Sequence, residues 1–366
     1  MIIPNAKQIK AKSRMLRKLS CVAGLMAALV LIQNQSANLM RRELSSYQTC
    51  DITTISLPTQ PIIPIFAASY PGSGAQMAHY LYEALTGLEA GDEWLHRGDT
   101  YDHVTIKTHF PARTHEIEGH RLMQRVILLL RNPLHSIPSY HNYIYEKDHH
   151  LPDHSVQAPV EAWLEWRDEH FDEEIQSWKN HLLHWMSEFE MKNRLVVSYE
   201  RLVSDKMGPV ESTRIANFLG RTKGVEVVPP SHVPCVWDKV VNYKRVEVDE
   251  EGNEIDEDDE RKLAESELTR FRLLYDEHGK QLSGNNKLKK KAVVRRRVKW
   301  VSHEHPDHPE HSKREGHKKY KFTKRQLDMI RSTLNMLRGK FLGEYTLVVI
   351  LSGYIEQIDE ELKEAK

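Results

Sequence analysis

Four short apolar runs constrain this chain more than any other feature in it. Residues 62–68, 104–106, 126–130 and 195–197 have the length of buried strands. Between some of them the apolar residues recur at helical spacing. Met77, Leu81 and Leu85 do so after the first run, with Gly87 placed to cap the helix. Trp163, Trp166, Trp178, Leu182 and Trp185 lie in a longer helical region. Strands alternating with helices predict an α/β fold, a parallel sheet flanked by helices. A length of 366 residues, 40% of them hydrophobic, is enough for a sizeable core.

The N-terminal region reads differently. Lys7, Lys10, Lys12, Arg14, Arg17 and Lys18 precede the apolar run of residues 21–32. Basic residues followed by an apolar run mark a signal peptide or a signal anchor. No good small-x-small cleavage site follows, which favours an uncleaved anchor with its positive flank in the cytosol. A cleaved signal and a buried helix are the alternatives. The expected organisation is a cytosolic tail and anchor over 1–36, a polar stem over 37–60 and a folded domain over 61–366. Within that domain a charged excursion is expected at about 245–315, acidic over 247–262 and basic over 287–299. Histidines 303, 305, 308 and 311 interrupt it among prolines, a weak pattern for a metal. The one glycosylation sequon, at Asn34, lies so close to the anchor that it is expected to stay unmodified. Three cysteines are too few for a disulfide scaffold, although Cys50 and Cys235 could pair in an oxidising lumen. A formal net charge of zero argues against a general nucleic-acid binder. Near the C-terminus, Thr323 and Gln326 form a candidate capping box, and Leu327, Ile330, Leu334 and Leu337 mark a buried helical face ending at Gly339.

Chemistry gathers in three segments. The first is the loop from Ser69 to Met77, with Pro71, Gly72, Ser73, Gly74, Ala75 and Gln76 between a strand and a helix. Such a turn presents free N–H groups at a helix N-terminus, where the dipole favours an anion. The second is "VTIKTHFP", residues 104–111. Strand alternation puts Thr105, Lys107 and His109 on one face, so a cation and an imidazole emerge together at the strand's carboxyl end. The third is "VILLLRNPLHSIPSYHNY", residues 126–143, where Arg131 ends a central strand and Ser139 follows eight positions later. A guanidinium fork with a hydroxyl suits a terminal phosphate.

These three segments, in this order, resemble the sulfotransferases that use 3′-phosphoadenosine-5′-phosphosulfate. The resemblance covers residues 62–220, roughly, and takes in "SWKNHLLHWM" and "VVSYERL". It implies a P-loop-like sulfotransferase architecture in which the first loop holds the 5′-phosphate. It also implies that Lys107-Thr108-His109 supplies the catalytic base, and that Arg131 and Ser139 bind the 3′-phosphate. Tyr199 would line the nucleotide site, or else pack in the core. His109 would take the acceptor's proton and Lys107 would stabilise the bridging oxygen. The donor is already activated, so no metal is expected. The implied acceptor is a hydroxyl or amine, such as that of a glycan. With the anchor, the expectation becomes a single-pass type II membrane protein of the Golgi with a lumenal catalytic domain.

Four departures stand out. The family's loop carries Lys or Arg where this chain has Gly72, hydroxyl residues at Ala75 and Gln76, and often Trp at Met77. The glycine-type loop looks closer to the sulfotransferase modules of WSC-domain proteins. The family's C-terminal Arg-Lys-Gly segment has only a loose echo at 313–323. Lys107 is then the expected cation for the 5′-phosphate. A non-catalytic nucleotide-binding protein of the same fold is the alternative. A P-loop kinase is disfavoured because no Lys-Ser/Thr follows the glycines.

Overall fold

The computed structural model describes residues 54–93, 102–113, 122–151, 156–249, 253–255, 296–302 and 319–364. The N-terminal basic and apolar stretch, Asn34, Cys50 and the histidine tract lie outside them. Everything below belongs to the compact unit Ile52–Lys366.

In chain order the strands are β1 (Thr54–Ile55), β2 (Ile65–Ser69), β3 (Gly91–Asp92), β4 (Thr105–Thr108), β5 (Val126–Leu130), β6 (Arg194–Ser198), β7 (Tyr243–Val248) and β8 (Arg296–Ser302). The helices are α1 (Ala75–Thr86), α2 (Pro133–Asp148), α3 (Val160–Glu188), α4 (Tyr199–Leu202), α5 (Gly208–Leu219), α6 (Val233–Asn242), α7 (Lys324–Lys340) and α8 (Tyr345–Glu364). The four apolar runs become β2, β4, β5 and β6, which pair in parallel with β3 in the order β3-β4-β2-β5-β6. The expected α/β parallel sheet is therefore present. β2 and β5 are buried along their whole length, as a sheet covered on both faces requires.

Each face has its own helices. Phe66, Leu128, Leu130 and Val196 join a core with Trp163, Phe171, Trp178 and Trp185 of α3 and with apolar residues of α7 and α8. Phe66 meets Trp185 with ring centroids 5.0 Å apart. On the opposite face α1, α5 and α6 pack on one another. The aromatic residues at helical spacing in α3 are thus mostly core, and Trp166 sits at its margin.

Local signals set several boundaries. Gly87 caps α1 in the left-handed region, at φ 67°, and its N–H bonds Glu83 O. Asn132 caps α2 with its side chain on the Leu134 N–H, and Pro133 occupies the first turn where its missing donor costs nothing. Thr323 and Gln326 form the full capping box of α7. Gly339 does not end that helix, which runs on to Lys340. The glycine there meets nothing within 4 Å, so packing neither demands nor rewards a break.

A second sheet, antiparallel with the order β1-β8-β7, was not legible in the sequence. It changes two boundaries. Residues 54–60, read as the end of the stem, begin within the folded unit, because β1 pairs with β8 and Ser56 bridges Leu88. The ends of the charged excursion are likewise held as the paired strands β7 and β8. Arg245 of β7 is clamped between Glu83 of α1 and Glu247, with its guanidinium over the Tyr80 ring. Cys235 on α6 is disulfide-bonded, while Cys50, the candidate partner, lies outside the described residues.

Candidate functional site

The strand order decides where a ligand can sit. After β2 the chain passes through α1 towards β3, and after β5 it passes through α2 and α3 towards β6, on the other side. The crevice between the carboxyl ends of β2 and β5 is the point where the connections diverge. Open α/β sheets bind ligands there. All three segments singled out from the sequence end at this edge.

The loop after β2 is a helix N-terminus with open donors. Gly74 caps α1 in the left-handed region, makes no side-chain cap, and no acidic residue lies in the first turn. The N–H groups of Ala75, Gln76 and Met77 precede the first intrahelical bond, Ala78 N to Gly74 O. Pro71 turns the chain out of the strand, and Ser73 N closes the turn onto Tyr70 O. Gly72 and Gly74 have φ of 75° and 87°, which side chains rarely adopt. Their hydrogens also face the protein itself. A Cβ on Gly72 would lie 2.3 Å from Ser136 O, and one on Gly74 would lie 2.4 Å from the Tyr199 ring. Glycines here also let an anion approach the backbone closely. The structure adds a separate demand, the close packing of α2 and Tyr199 on the loop. The same packing explains why no Lys or Arg stands at position 72.

Arg131 emerges one residue beyond β5. The last rung of the β5–β6 ladder is Leu130↔Ser198, so Arg131 comes level with Tyr199. Its guanidinium lies 4.3 Å from the centroid of that ring, and Nη1 donates to Gly72 O at 2.7 Å. It makes no ion pair with a described residue. Ser139, two helical turns on, has its Cβ 3.1 Å from where a Gly72 Cβ would be. Arg131 and Ser139 thus flank the same loop residue. The hydroxyls of Ser73 and Ser136 and Nε of Arg131 are buried without a hydrogen-bond partner in this cluster. Buried polar atoms are seldom left so, and an oxyanion with several acceptor oxygens fits their chemistry.

His109 arrives by the same ladder logic. Ala68↔Thr108 is the last rung between β2 and β4, which sets His109 beside Ser69. Its Nδ1 lies 2.8 Å from Ser69 O, and its backbone N–H donates to Glu93 Oε1 at 2.9 Å. A carbonyl only accepts, so Nδ1 carries the proton and Nε2 keeps its lone pair. Burial lowers the imidazole from 6.5 to about 4, with Lys107 adding to the effect against the Ser69 bond. Lys107 Nζ stands 3.8 Å from Asp92 Oδ2 on the neighbouring strand β3. Lys107 is therefore the neighbour of His109, while Arg131 is the cation that contacts the loop.

Several participants gave no sequence signal. Glu93 follows β3 and takes both the Thr108 hydroxyl and the His109 N–H. Glu174 of α3 binds the Tyr70 hydroxyl in the loop and Arg113 beyond the His109 turn. Glu200 accepts from the Asn132 N–H next to Arg131. Carboxylates of this kind look like ordinary surface acids in a sequence.

Residues 95–265 match the family model of the sulfotransferase domain. That stretch holds Lys107, His109, Arg131, Ser139 and Tyr199, and begins after the glycine loop. Among solved structures, mouse sulfotransferase SULT7A1 complexed with PAP is similar at 20% identity, with a TM-score of 0.33. The alignment covers 48% of this chain and 63% of that chain, so it spans less than two thirds of the mouse protein. The family match, the parallel sheet and the segments gathered at its switch point agree on one likeness: residues 95–265 are similar to the sulfotransferase domain.

Proposed function

We propose that the protein is an enzyme that moves a sulfuryl group from 3′-phosphoadenosine-5′-phosphosulfate to a hydroxyl or amine of a lumenal acceptor, such as a glycan. The observation that carries the reading is the bond from His109 Nδ1 to the carbonyl of Ser69, the residue that opens the phosphate-type loop. It supports the reading by holding a neutral imidazole, tautomer fixed, beside the loop whose free N–H groups suit an anion.

In this reading the free N–H groups of Ala75, Gln76 and Met77 receive the 5′-phosphate, and Arg131 with Ser139 receives the 3′-phosphate. His109 Nε2 accepts the acceptor's proton as the new oxygen–sulfur or nitrogen–sulfur bond forms. The bond from sulfur to the bridging phosphate oxygen breaks in line, leaving adenosine 3′,5′-bisphosphate. Lys107 meets the charge that builds on the bridging oxygen. The bisphosphate's negative charge would also raise the His109 pKa towards the range of a working base. An open cleft lined by Pro111, Ala112, Asp172, Glu173, Ser177 and Asn180 adjoins the His109 turn and would give an acceptor an approach. We place the domain in the Golgi lumen on a type II anchor, supported by the basic and apolar N-terminal sequence. Among the described residues no helix is long and apolar enough to cross a membrane.

The test is His109→Ala. Turnover, followed with radiolabelled donor across a panel of acceptors, should fall roughly 10²–10⁴-fold. Affinity for adenosine 3′,5′-bisphosphate should stay within about threefold, since the base acts mainly in the transition state. Unchanged turnover would remove His109 from the mechanism. Gly72, where the family carries a cation, keeps a second reading in play, a nucleotide-binding protein without turnover. Donor binding by the parent protein with no transfer to any acceptor would favour it.

A further inference from the structure

The C-terminal helix α8 lies outside the stretch that matches the family, yet two of its side chains reach the base of Arg131. Tyr354 donates its hydroxyl to Glu200 Oε2 at 2.7 Å, and Gln357 Oε1 accepts from Asn132 Nδ2 at 2.6 Å. Both recipients touch one peptide unit. The carbonyl of Arg131 and the N–H of Asn132 belong to the same rigid plane. Trp178 Nε1 donates to that carbonyl at 3.2 Å, and Glu200 Oε1 accepts from that N–H at 2.8 Å. The plane is thereby held from both sides.

The two carriers of this grip are themselves fully engaged. Glu200 accepts at Oε2 from Ser198 Oγ as well as from Tyr354. Asn132 uses Oδ1 to cap α2 on the Leu134 N–H and Nδ2 to reach Gln357. Tyr354 is buried, which keeps its phenol protonated and donating beside the carboxylate. The long Arg131 side chain branches from the Cα just before this peptide, so a rotation of about 10° at its base moves the guanidinium by roughly 1 Å, a displacement that matters at a binding site.

We propose that Tyr354 and Gln357 are positioning residues of the donor site, which set the aim of Arg131 at the nucleotide's 3′-phosphate through Glu200 and Asn132. The inference rests on the donor reading above and deepens it. It separates two roles for α8: packing, which supports the whole fold, and aiming, which acts on one phosphate. Its signature is selectivity. Loosening the brace should weaken a ligand with a 3′-phosphate and spare one without it, because in the donor reading main-chain N–H groups at the α1 N-terminus, and not Arg131, hold the 5′-phosphate.

The experiment titrates adenosine 3′,5′-bisphosphate and adenosine 5′-phosphate by calorimetry into the parent protein, Tyr354→Phe, Gln357→Leu, their double variant and Gln357→Glu. Melting temperatures are recorded alongside. In the double variant, bisphosphate affinity should fall about tenfold while monophosphate affinity changes less than about twofold. Gln357→Glu, which keeps an oxygen for Asn132 Nδ2, should retain most of the parent's preference. Equal losses on both nucleotides would reduce α8 to a packing element, and an unchanged preference would leave Arg131 aimed without it. Either result overturns the brace alone. A parent protein with no preference for the bisphosphate overturns the donor reading and the brace with it.

Discussion

Gly72 invites a repair that should fail. The family carries Lys or Arg at this place, so Gly72→Lys looks like the restoration of a phosphate ligand. A charged hydrogen bond to phosphate would contribute about 1.5–3 kcal/mol. Against this stands the backbone, which holds φ at 75°. A side chain there costs roughly 1–2 kcal/mol. The new Cβ would also lie 2.3 Å from Ser136 O and 2.7 Å from Tyr140 N, both main-chain atoms of α2. No rotamer relieves such contacts, and forcing extra carbon into packed surroundings costs about 1–3 kcal/mol more. The sum, on the order of 2–5 kcal/mol, should lower the melting temperature by roughly 4–10 °C in a domain of this size. The loop must move off α2, so Ser139 and the Gly72 carbonyl that Arg131 grips move apart. Affinity for adenosine 3′,5′-bisphosphate should fall at least about tenfold, which is 1.4 kcal/mol. Scanning fluorimetry and calorimetry measure the two effects, and Gly72→Ala separates the Cβ from the charge. A Lys variant that melts with the parent and binds more tightly would refute the argument, because it would mean the loop has room that the geometry denies.

Two other expectations follow from the same site. Arg131→Ala should weaken adenosine 3′,5′-bisphosphate more than adenosine 5′-phosphate, since the lost fork has only the 3′-phosphate to hold; equal losses in calorimetry would make Arg131 a structural residue. Acid should destabilise the fold before carboxylates titrate. Burial lowers His79, His109 and His141 from 6.5 to about 4. As pH falls below 6.5 the unfolded chain takes up protons that the folded chain refuses until about 4. Stability is therefore full above that window and lost within it, by roughly 2 kcal/mol per imidazole at pH 5. A melting temperature that stays flat from pH 7 to pH 5 would contradict the sign.

The placement of the candidate residues was legible because strand pairing turns local pattern into geometry. Apolar runs announced β2, β4, β5 and β6, and in a parallel ladder the residue after each last rung sits beside its neighbour's. That alone puts His109 next to Ser69 and Arg131 next to Tyr199. The three-stranded second sheet escaped because its strands are short or highly charged. The charges of β7 and β8, such as Arg245, Glu247 and Lys299, read as a solvated excursion. Gly339 misled because a glycine tolerated in an exposed helix looks the same as one that stops it.

The sequence by itself determined the α/β class, the phosphate-type loop, the Lys107–His109 pair and the Arg131–Ser139 spacing, since each is a pattern within a few residues of chain. Only the tertiary structure decided why position 72 is glycine, which carboxylates orient the site, and that α8 reaches Arg131's peptide. The bond from Asn132 to Gln357 joins residues 225 positions apart. Nothing in either residue's neighbourhood encodes the other. Their meeting depends on how α2 and α8 pack around one core, and packing is set by the shapes of all the side chains together.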